Sequence, residues 1–335
     1  MKKFVVSFLC IVAVISSLFL FGGCNNKEPL LIVYLGDSIA EALAGPSPLS
    51  EREHYGYYGV IGIRNEYTYR NRAVSGSRSA DLLRYIQKDD EDARILRTLL
   101  KDADIIHISI LGNDLLLSDL SGILIAALDE DYTKVDQIVE NARENISGIV
   151  STLREYNSHG VIIFQNVYNP IHPDSLLLNE EMHAAMEERG VAPEEYKVYG
   201  DIILNKVNGV LDEYAEAHPG EIQIINAQAR FNEICDEFPE RGLRLQCHDG
   251  VHPSSYGHAV LADLCQELLE ELELADKATA LKNYKSLRIE QLTRMYKGTS
   301  VNVRSVKAQI KKAKSCEEVT NIYFDATAGV TPNYF

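Results

Sequence analysis

The sequence predicts a three-layer α/β/α sandwich built on a doubly wound, mainly parallel five-stranded sheet. Three observations lead there. Short, continuous apolar runs of strand length recur along the chain. Segments with helical apolar spacing separate them, as crossover connections between parallel strands require. Gly, Ser, Asn or Asp follow several of the runs, at the strand ends where ligands bind in such sheets.

The elements follow in order. Residues 30–35 form an uninterrupted apolar run ending at Gly36, the signature of a strand buried on both faces. Residues 67–74 make a weaker strand. Residues 105–111, 161–167 and 222–226 repeat the buried pattern. Helical spacing marks 79–87, 93–101, 134–156, 195–217 and 254–274. A long insertion spans 172–200; its acidic stretch 180–188 reads either as a cover over the site or as a solvated surface helix. Tyr55, Tyr57, Tyr58, Tyr67 and Tyr69 form the richest aromatic cluster. It fits a sugar-stacking or acyl-lining surface and equally a partly buried loop and strand.

Composition bounds the function. With 46% hydrophobic and 24% charged residues, the 335-residue chain can bury a full core. A net charge of -16 argues against nucleic acid as a partner, since phosphate binding needs a cationic surface. Lys2 and Lys3 precede an uncharged, mostly apolar run over 4–21, followed by Gly22, Gly23 and Cys24. That is the pattern of an export signal over residues 1–23. Cys24 after two glycines resembles a bacterial lipobox, which implies lipidation at Cys24 and a short tether over 24–29. An uncleaved membrane anchor and plain secretion are the other readings. All three place the body outside the cytoplasm, and the lipobox implies a bacterial cell surface. Cys235, Cys247, Cys265 and Cys316 remain, an even number that suits an oxidising compartment and allows three pairings. Cys235 with Cys247 would pin the loop before His252, and free thiols are the other reading. Cys265 lies among Leu261, Leu264, Leu268 and Leu269 at helical spacing and reads as a core residue.

The residues after the strands carry chemistry. Ser38 follows the first strand, Gly76 the second, Asn113 and Asp114 the third; Asp249 and His252 follow the last. A serine hydroxyl becomes a nucleophile when a base takes its proton, and His252 suits that task. Asp249, three residues earlier in a Gly- and Pro-containing loop, can orient the imidazole. Acyl transfer also needs donors aimed at the developing oxyanion. A helix starting at Ser38 would free its backbone N–H. Gly76 allows a second N–H to approach, and the Asn113 amide supplies a third. Asp114 reads as loop support and His107, inside an apolar strand, as a satisfied core residue. Cys247, His248 and His252 do not share a helical face, and the sequence implies no metal.

The blocks Gly36-Asp37-Ser38, Asn71 to Gly76, Gly112-Asn113-Asp114 and Asp249 to Pro253 resemble those of the GDSL esterase/lipase family, also called SGNH hydrolases. They occur in family order across about 30–274. The resemblance implies a flavodoxin-like fold, Ser38 as nucleophile with His252 and Asp249 completing a triad, an oxyanion hole of Ser38, Gly76 and Asn113, and no cofactor. Ile39 stands where the family has Leu, and Leu111 where its third block usually has Gly. The run Val167-Tyr168-Asn169-Pro170 resembles that of the YpmR-like bacterial branch.

The implied function is a lipid-anchored serine esterase acting on short-chain acyl or O-acetyl esters. A lipase or lysophospholipase of the same mechanism and an inert surface-binding lipoprotein are the alternatives. The partners are a small-molecule, glycan or lipid ester and the bacterial membrane, reached through lipid at Cys24. The hydrolase domain is expected over 30–275. Beyond it, 276–335 reads as a basic helical extension. Its segment 277–314 holds eleven Lys or Arg and the single acid Glu290. Two helices are expected there, through Leu281 to Leu292 and over 303–313. They either fold back on the acidic body or contact an anionic surface.

Overall fold

The computed structural model describes residues 28–43, 51–172 and 175–333. The expected export signal over 1–23 and the expected lipidation site Cys24 therefore lie outside the described residues. β1 (Leu31–Gly36), β2 (Thr68–Asn71), β3 (Ile105–Ser109), β4 (Val161–Gln165) and β5 (Gln223–Ile225) form one all-parallel sheet in the order β2-β1-β3-β4-β5. This is the doubly wound topology expected from the sequence, with its switch point between β1 and β3. Strand side chains alternate between faces. Ile32 and Tyr34 enter one core cluster while Val33 and Leu35 enter the other, so both faces are covered.

On one face pack α3 (Ser79–Gln87), α4 (Glu91–Asp102), α6 (Leu120–Leu128), α7 (Thr133–Tyr156) and α9 (Tyr196–Ala217). On the other lie α2 (Tyr57–Asn65), α10 (Ala227–Glu237) and α12 (Ser255–Glu271). Short turns complete the path: α1 (Arg52–Tyr55), α5 (Gly112–Leu116) and α11 (Pro239–Gly242). In the 172–200 insertion, α8 (Glu180–Glu188) is an amphipathic surface helix. It buries Met182 and Met186 and presents its acids to solvent.

Two expectations need correction. The aromatic segment is helical, and Tyr55, Tyr57 and Tyr58 are core residues, meeting Tyr34 and Phe324 edge-on. Its spacing follows the helix, with Tyr57, Tyr58 and Ile61 turned inward. Cys235, Cys247, Cys265 and Cys316 are not joined in disulfides, so the Cys235–Cys247 pairing does not form, and Cys265 is in the core as its spacing suggests. The two helices expected in the basic segment are present, α13 (Lys277–Met295) and α14 (Val303–Lys312), and a third, α15 (Cys316–Thr327), follows them. The third escaped detection because Cys316, Glu317 and Glu318 open it without a long apolar stripe. Ser315 caps it by accepting from the Glu318 N–H.

These helices close the core cluster beneath α2 and α12. Tyr284, Leu292, Met295, Tyr323 and Phe324 are buried there. Arg288 is fully buried. Its guanidinium lies about 5 Å from the Tyr55, Tyr284, Tyr323 and Phe324 rings and donates to Gln291 Oε1 and the His54 carbonyl. Arg64 is equally buried, paired with Asp263 at 2.6 Å and stacked 3.8 Å from the Tyr284 ring. The attachment is therefore mainly apolar and aromatic. At its surface Arg294 grips Glu51 with two bonds of 2.7 Å.

Candidate active site

The carboxyl ends of β1 and β3 carry the nucleophile and amide candidates. Gly36 ends β1 at φ 131°, and a Cβ there would stand 1.9 Å from the Ser109 carbonyl oxygen, so only glycine fits. The Asp37 N–H donates to that same oxygen, which fixes where Ser38 emerges. No regular helix follows. Residues 37–42 wind through irregular turns, closed by Glu41 N to Asp37 O and Leu43 N to Ser38 O. The expected helix dipole is thus reduced to about one turn, yet the Ser38 N–H still meets no acceptor among the described residues.

Ser38, His252 and Asp249 meet. His252 Nε2 lies 2.9 Å from Ser38 Oγ, and His252 Nδ1 lies 2.8 Å from Asp249 Oδ2. Asp249 Oδ1 also accepts the N–H groups of Val251 and His252, at 2.9 and 3.0 Å. Partial burial pushes the Asp249 carboxyl up. The backbone and imidazole hydrogen bonds outweigh that and hold it below the usual carboxylate range. It therefore stays ionised, accepting from Nδ1–H and leaving Nε2 to take the serine proton. The loop is braced on its own backbone: Cys247 N donates to His252 O at 2.8 Å, and Gly250 supplies a left-handed turn at φ 69°.

Gly76 and Asn113 approach from the neighbouring strand ends. Gly76 turns at φ 80°, is exposed, and its N–H meets no acceptor among the described residues. Asn113 is buried, and one N–H of its amide donates to the Ser77 carbonyl at 3.1 Å, tying it to the Gly76 loop. The amide keeps a second N–H. Leu111, where the family usually has glycine, adopts φ 87°. The turn thus survives the departure, with a leucine held in the left-handed region.

Several positioning residues escaped the sequence reading. Glu41 Oε2 accepts the Ser75 N–H at 3.2 Å and the Ser75 hydroxyl, clamping the Gly76 loop to the Ser38 turn. Asn71 Nδ2 donates to Ala40 O at 2.7 Å and does the same from β2. Asp114, read as loop support, accepts the Ser79 N–H and hydroxyl at 2.9 and 2.6 Å. The Tyr168 hydroxyl donates to the Val251 carbonyl, and its ring stacks on Phe231 at 4.5 Å. Its position just beyond β4, at the ligand-binding edge, was the signal available for it. His107 is a core residue, as read, but only half satisfied. Nδ1 lies 3.4 Å from the Tyr57 hydroxyl, Nε2 has no partner, and burial pushes its pKa down to about 3.

Beside the triad lies an apolar cleft of about 50 Å³, lined by Ile39, Leu115, Leu124, Ile171, Ile203 and Leu204 and reaching Val251. The arrangement can pass a serine proton to an imidazole, hold an anion on two backbone N–H groups and one amide, and shelter a short apolar group.

The family model described as GDSL-like Lipase/Acylhydrolase matches residues 32–265. The uncharacterized protein YpmR of Bacillus subtilis (strain 168) is 26% identical over 251 residues, covering 71% of this chain and 80% of its own. Among solved structures, phospholipase A1 from Streptomyces albidoflavus NA297 superposes with a TM-score of 0.51 at 16% identity, covering 71% of this chain and 99% of its own. The lipase Lip_vut3 from a goat rumen metagenome gives 0.50 at 20% identity, covering 71% and 96%. The superpositions, at identities this low, show a shared fold and nothing more.

Proposed function

We propose that this chain, which belongs to the GDSL-like lipase/acylhydrolase family, is a short-chain carboxylic esterase working through Ser38, His252 and Asp249. Family membership makes it an ester-hydrolysing serine hydrolase. The observation that carries the finer reading is the unbroken relay from Ser38 Oγ through His252 to Asp249 beside an apolar cleft.

The steps follow from the geometry. Ser38 Oγ attacks the ester carbonyl carbon as its proton passes to His252 Nε2. Asp249 stabilises the imidazolium across Nδ1. The Ser38 and Gly76 N–H groups and the Asn113 amide take the oxyanion. His252 protonates the leaving alcohol, and water then attacks the acyl-serine with His252 again as base.

The cleft supports a small acyl group. It is small and apolar, about 50 Å³, with a mouth open to solvent. O-acetylated or short-acylated glycans and small esters suit it. Lys2 and Lys3, the apolar run and Cys24 support an extracytoplasmic, lipid-anchored placement at a bacterial surface.

A panel of p-nitrophenyl esters of graded chain length tests the reading. Acetate to butyrate should be hydrolysed fastest, and Ser38→Ala should abolish both turnover and labelling by a fluorophosphonate probe. Faster turnover of long-chain phospholipid vesicles would replace the short-acyl reading with a lipase. Full activity in the Ser38 variant would remove the nucleophile.

A further inference from the structure

Most of the eleven cations of 277–314 are not spent on the acidic body. Lys277 and Arg294 have carboxylate partners and Arg288 is buried among rings. The other eight have no carboxylate partner among the described residues. On α14, Val306 and Ile310 face the core while Arg304, Lys307 and Lys311 recur at three- and four-residue spacing on another face. Lys285 Nζ reaches the Lys311 carbonyl at 3.2 Å, which brings the α13 and α14 cations together. Lys282, Lys312 and Lys314 extend the same group and are exposed. The bordering acids are Glu66, held by Asn283, and Glu318, which accepts the Lys314 N–H.

The patch has a definite place on the sandwich. The Thr68 N–H donates to the Leu30 carbonyl, where the described chain enters β1. Next to Thr68, the Tyr67 hydroxyl donates to the Leu274 carbonyl at 2.6 Å, just before α13. Asn283 Nδ2 donates to the Arg64 carbonyl at the end of α2. The first half of α13 therefore lies at the edge where the strands begin. Ser38 and Asn113 lie at the opposite edge, about 20 Å away along six residues of β1.

We propose that this cationic face docks on the anionic phospholipid surface of the membrane. Charge complementarity favours an anionic partner, since so acidic a chain gathers eight cations without carboxylate partners on one small unit. The chain leading into β1 selects lipid as that partner. It enters at the same edge, and 27 undescribed residues precede Glu28, with the uncharged run 4–21 among them. Docking there holds the catalytic edge away from the bilayer, toward soluble or wall-borne esters.

Deleting the segment cannot test this, because α13 to α15 complete the core. The test uses the chain lacking residues 1–24, which keeps both core clusters whole. Its partition is measured onto phosphatidylglycerol/phosphatidylcholine vesicles and onto phosphatidylcholine alone. Binding is expected only to the anionic vesicles and should weaken as salt rises. The triple variant Lys282→Glu, Lys311→Glu, Lys314→Glu should lose roughly a hundredfold or more in partition. Its melting temperature and p-nitrophenyl ester turnover should hold. Lysine-to-glutamine changes at the same sites should give a smaller, graded loss without reversing charge. Reversals at Arg84, Lys88 and Arg94, on the other layer, should cost far less. Failure of the parent chain to bind anionic vesicles overturns the proposal. So does equal loss in both reversal sets, or binding to soluble polyglycerol phosphate but not to vesicles. None of these outcomes touches the esterase reading.

Discussion

The Tyr168 hydroxyl donates to the Val251 carbonyl, so the chain leaving β4 holds the loop on which His252 sits. The tyrosine is buried, its ring lines the apolar cleft, and its hydroxyl fixes the backbone next to the imidazole. Tyr168→Phe keeps the ring and loses one hydrogen bond, worth about 0.5–1.5 kcal/mol. The expected result is a kcat lowered roughly 2–10-fold with KM little changed. Tyr168→Ala should raise KM as well. Steady-state kinetics on one ester decide it, and a wild-type kcat in the phenylalanine variant would end the positioning role.

Asn113→Ala removes the only side-chain donor proposed for the oxyanion. Loss of one such donor lowers kcat by roughly 10²–10³. Because Asn113 also ties its turn to Ser77, Asn113→Asp is the useful companion. It keeps the size but supplies no N–H, and should be at least as slow. Activity within threefold of wild type in either variant would take Asn113 out of the oxyanion site.

Leu111 sets two effects against each other. Its φ of 87° strains a leucine by about 1–2 kcal/mol, whereas its side chain is fully buried. Truncating a buried leucine costs about 2–5 kcal/mol, so burial wins and Leu111→Gly should destabilise the protein. Leu111→Ala loses most of the same packing but keeps the strain. Denaturant melts should therefore rank the glycine variant above the alanine variant by about 1 kcal/mol. The reverse order would show that the left-handed turn stores no strain.

Asp37 makes stability depend on pH. Burial lifts its carboxyl to about 7, against hydrogen bonds from the Ile39 and Ala40 backbone that lower it. The folded state thus holds a proton that the unfolded chain releases near the ordinary value of 3.8. Unfolding releases that proton between these values, so stability falls as pH rises from about 4 to about 7 and levels off above. Asp37→Asn should abolish a decline on the order of 4 kcal/mol. Comparing the two proteins between pH 5 and 8 avoids the lower range where Asp249 is protonated. Parallel curves for the two would refute the assignment.

The sheet was legible because buried parallel strands leave an unmistakable apolar run; even 105–111 was overextended only into the Leu111 turn. The helices α3 and α7 were legible to within a residue through their amphipathic spacing. The segment 55–65 was not, since tyrosines buried on most sides blur the period that marks a half-buried helix. Ser38, Gly76, Asn113, Asp249 and His252 stood out only as a set: singly, residues such as Ser38, Gly76 and Asn113 read as caps or turns, but their blocks occur in order, each after a strand. Glu41 and Tyr168 did not. One is a carboxylate in a chain rich in them, and the other an aromatic beside a strand. What each does depends on a partner far away in sequence, Ser75 for one and Val251 for the other.

The Tyr55 hydroxyl sits 2.8 Å from the Tyr323 hydroxyl, two residues 268 positions apart. One side of the hydrolase core therefore stays uncovered until nearly the whole chain has left the ribosome. This aromatic surface cannot be sealed by a partial product of synthesis. The same wiring makes folding slow relative to a local-contact protein of equal size, because the final contact joins the two ends of the sequence.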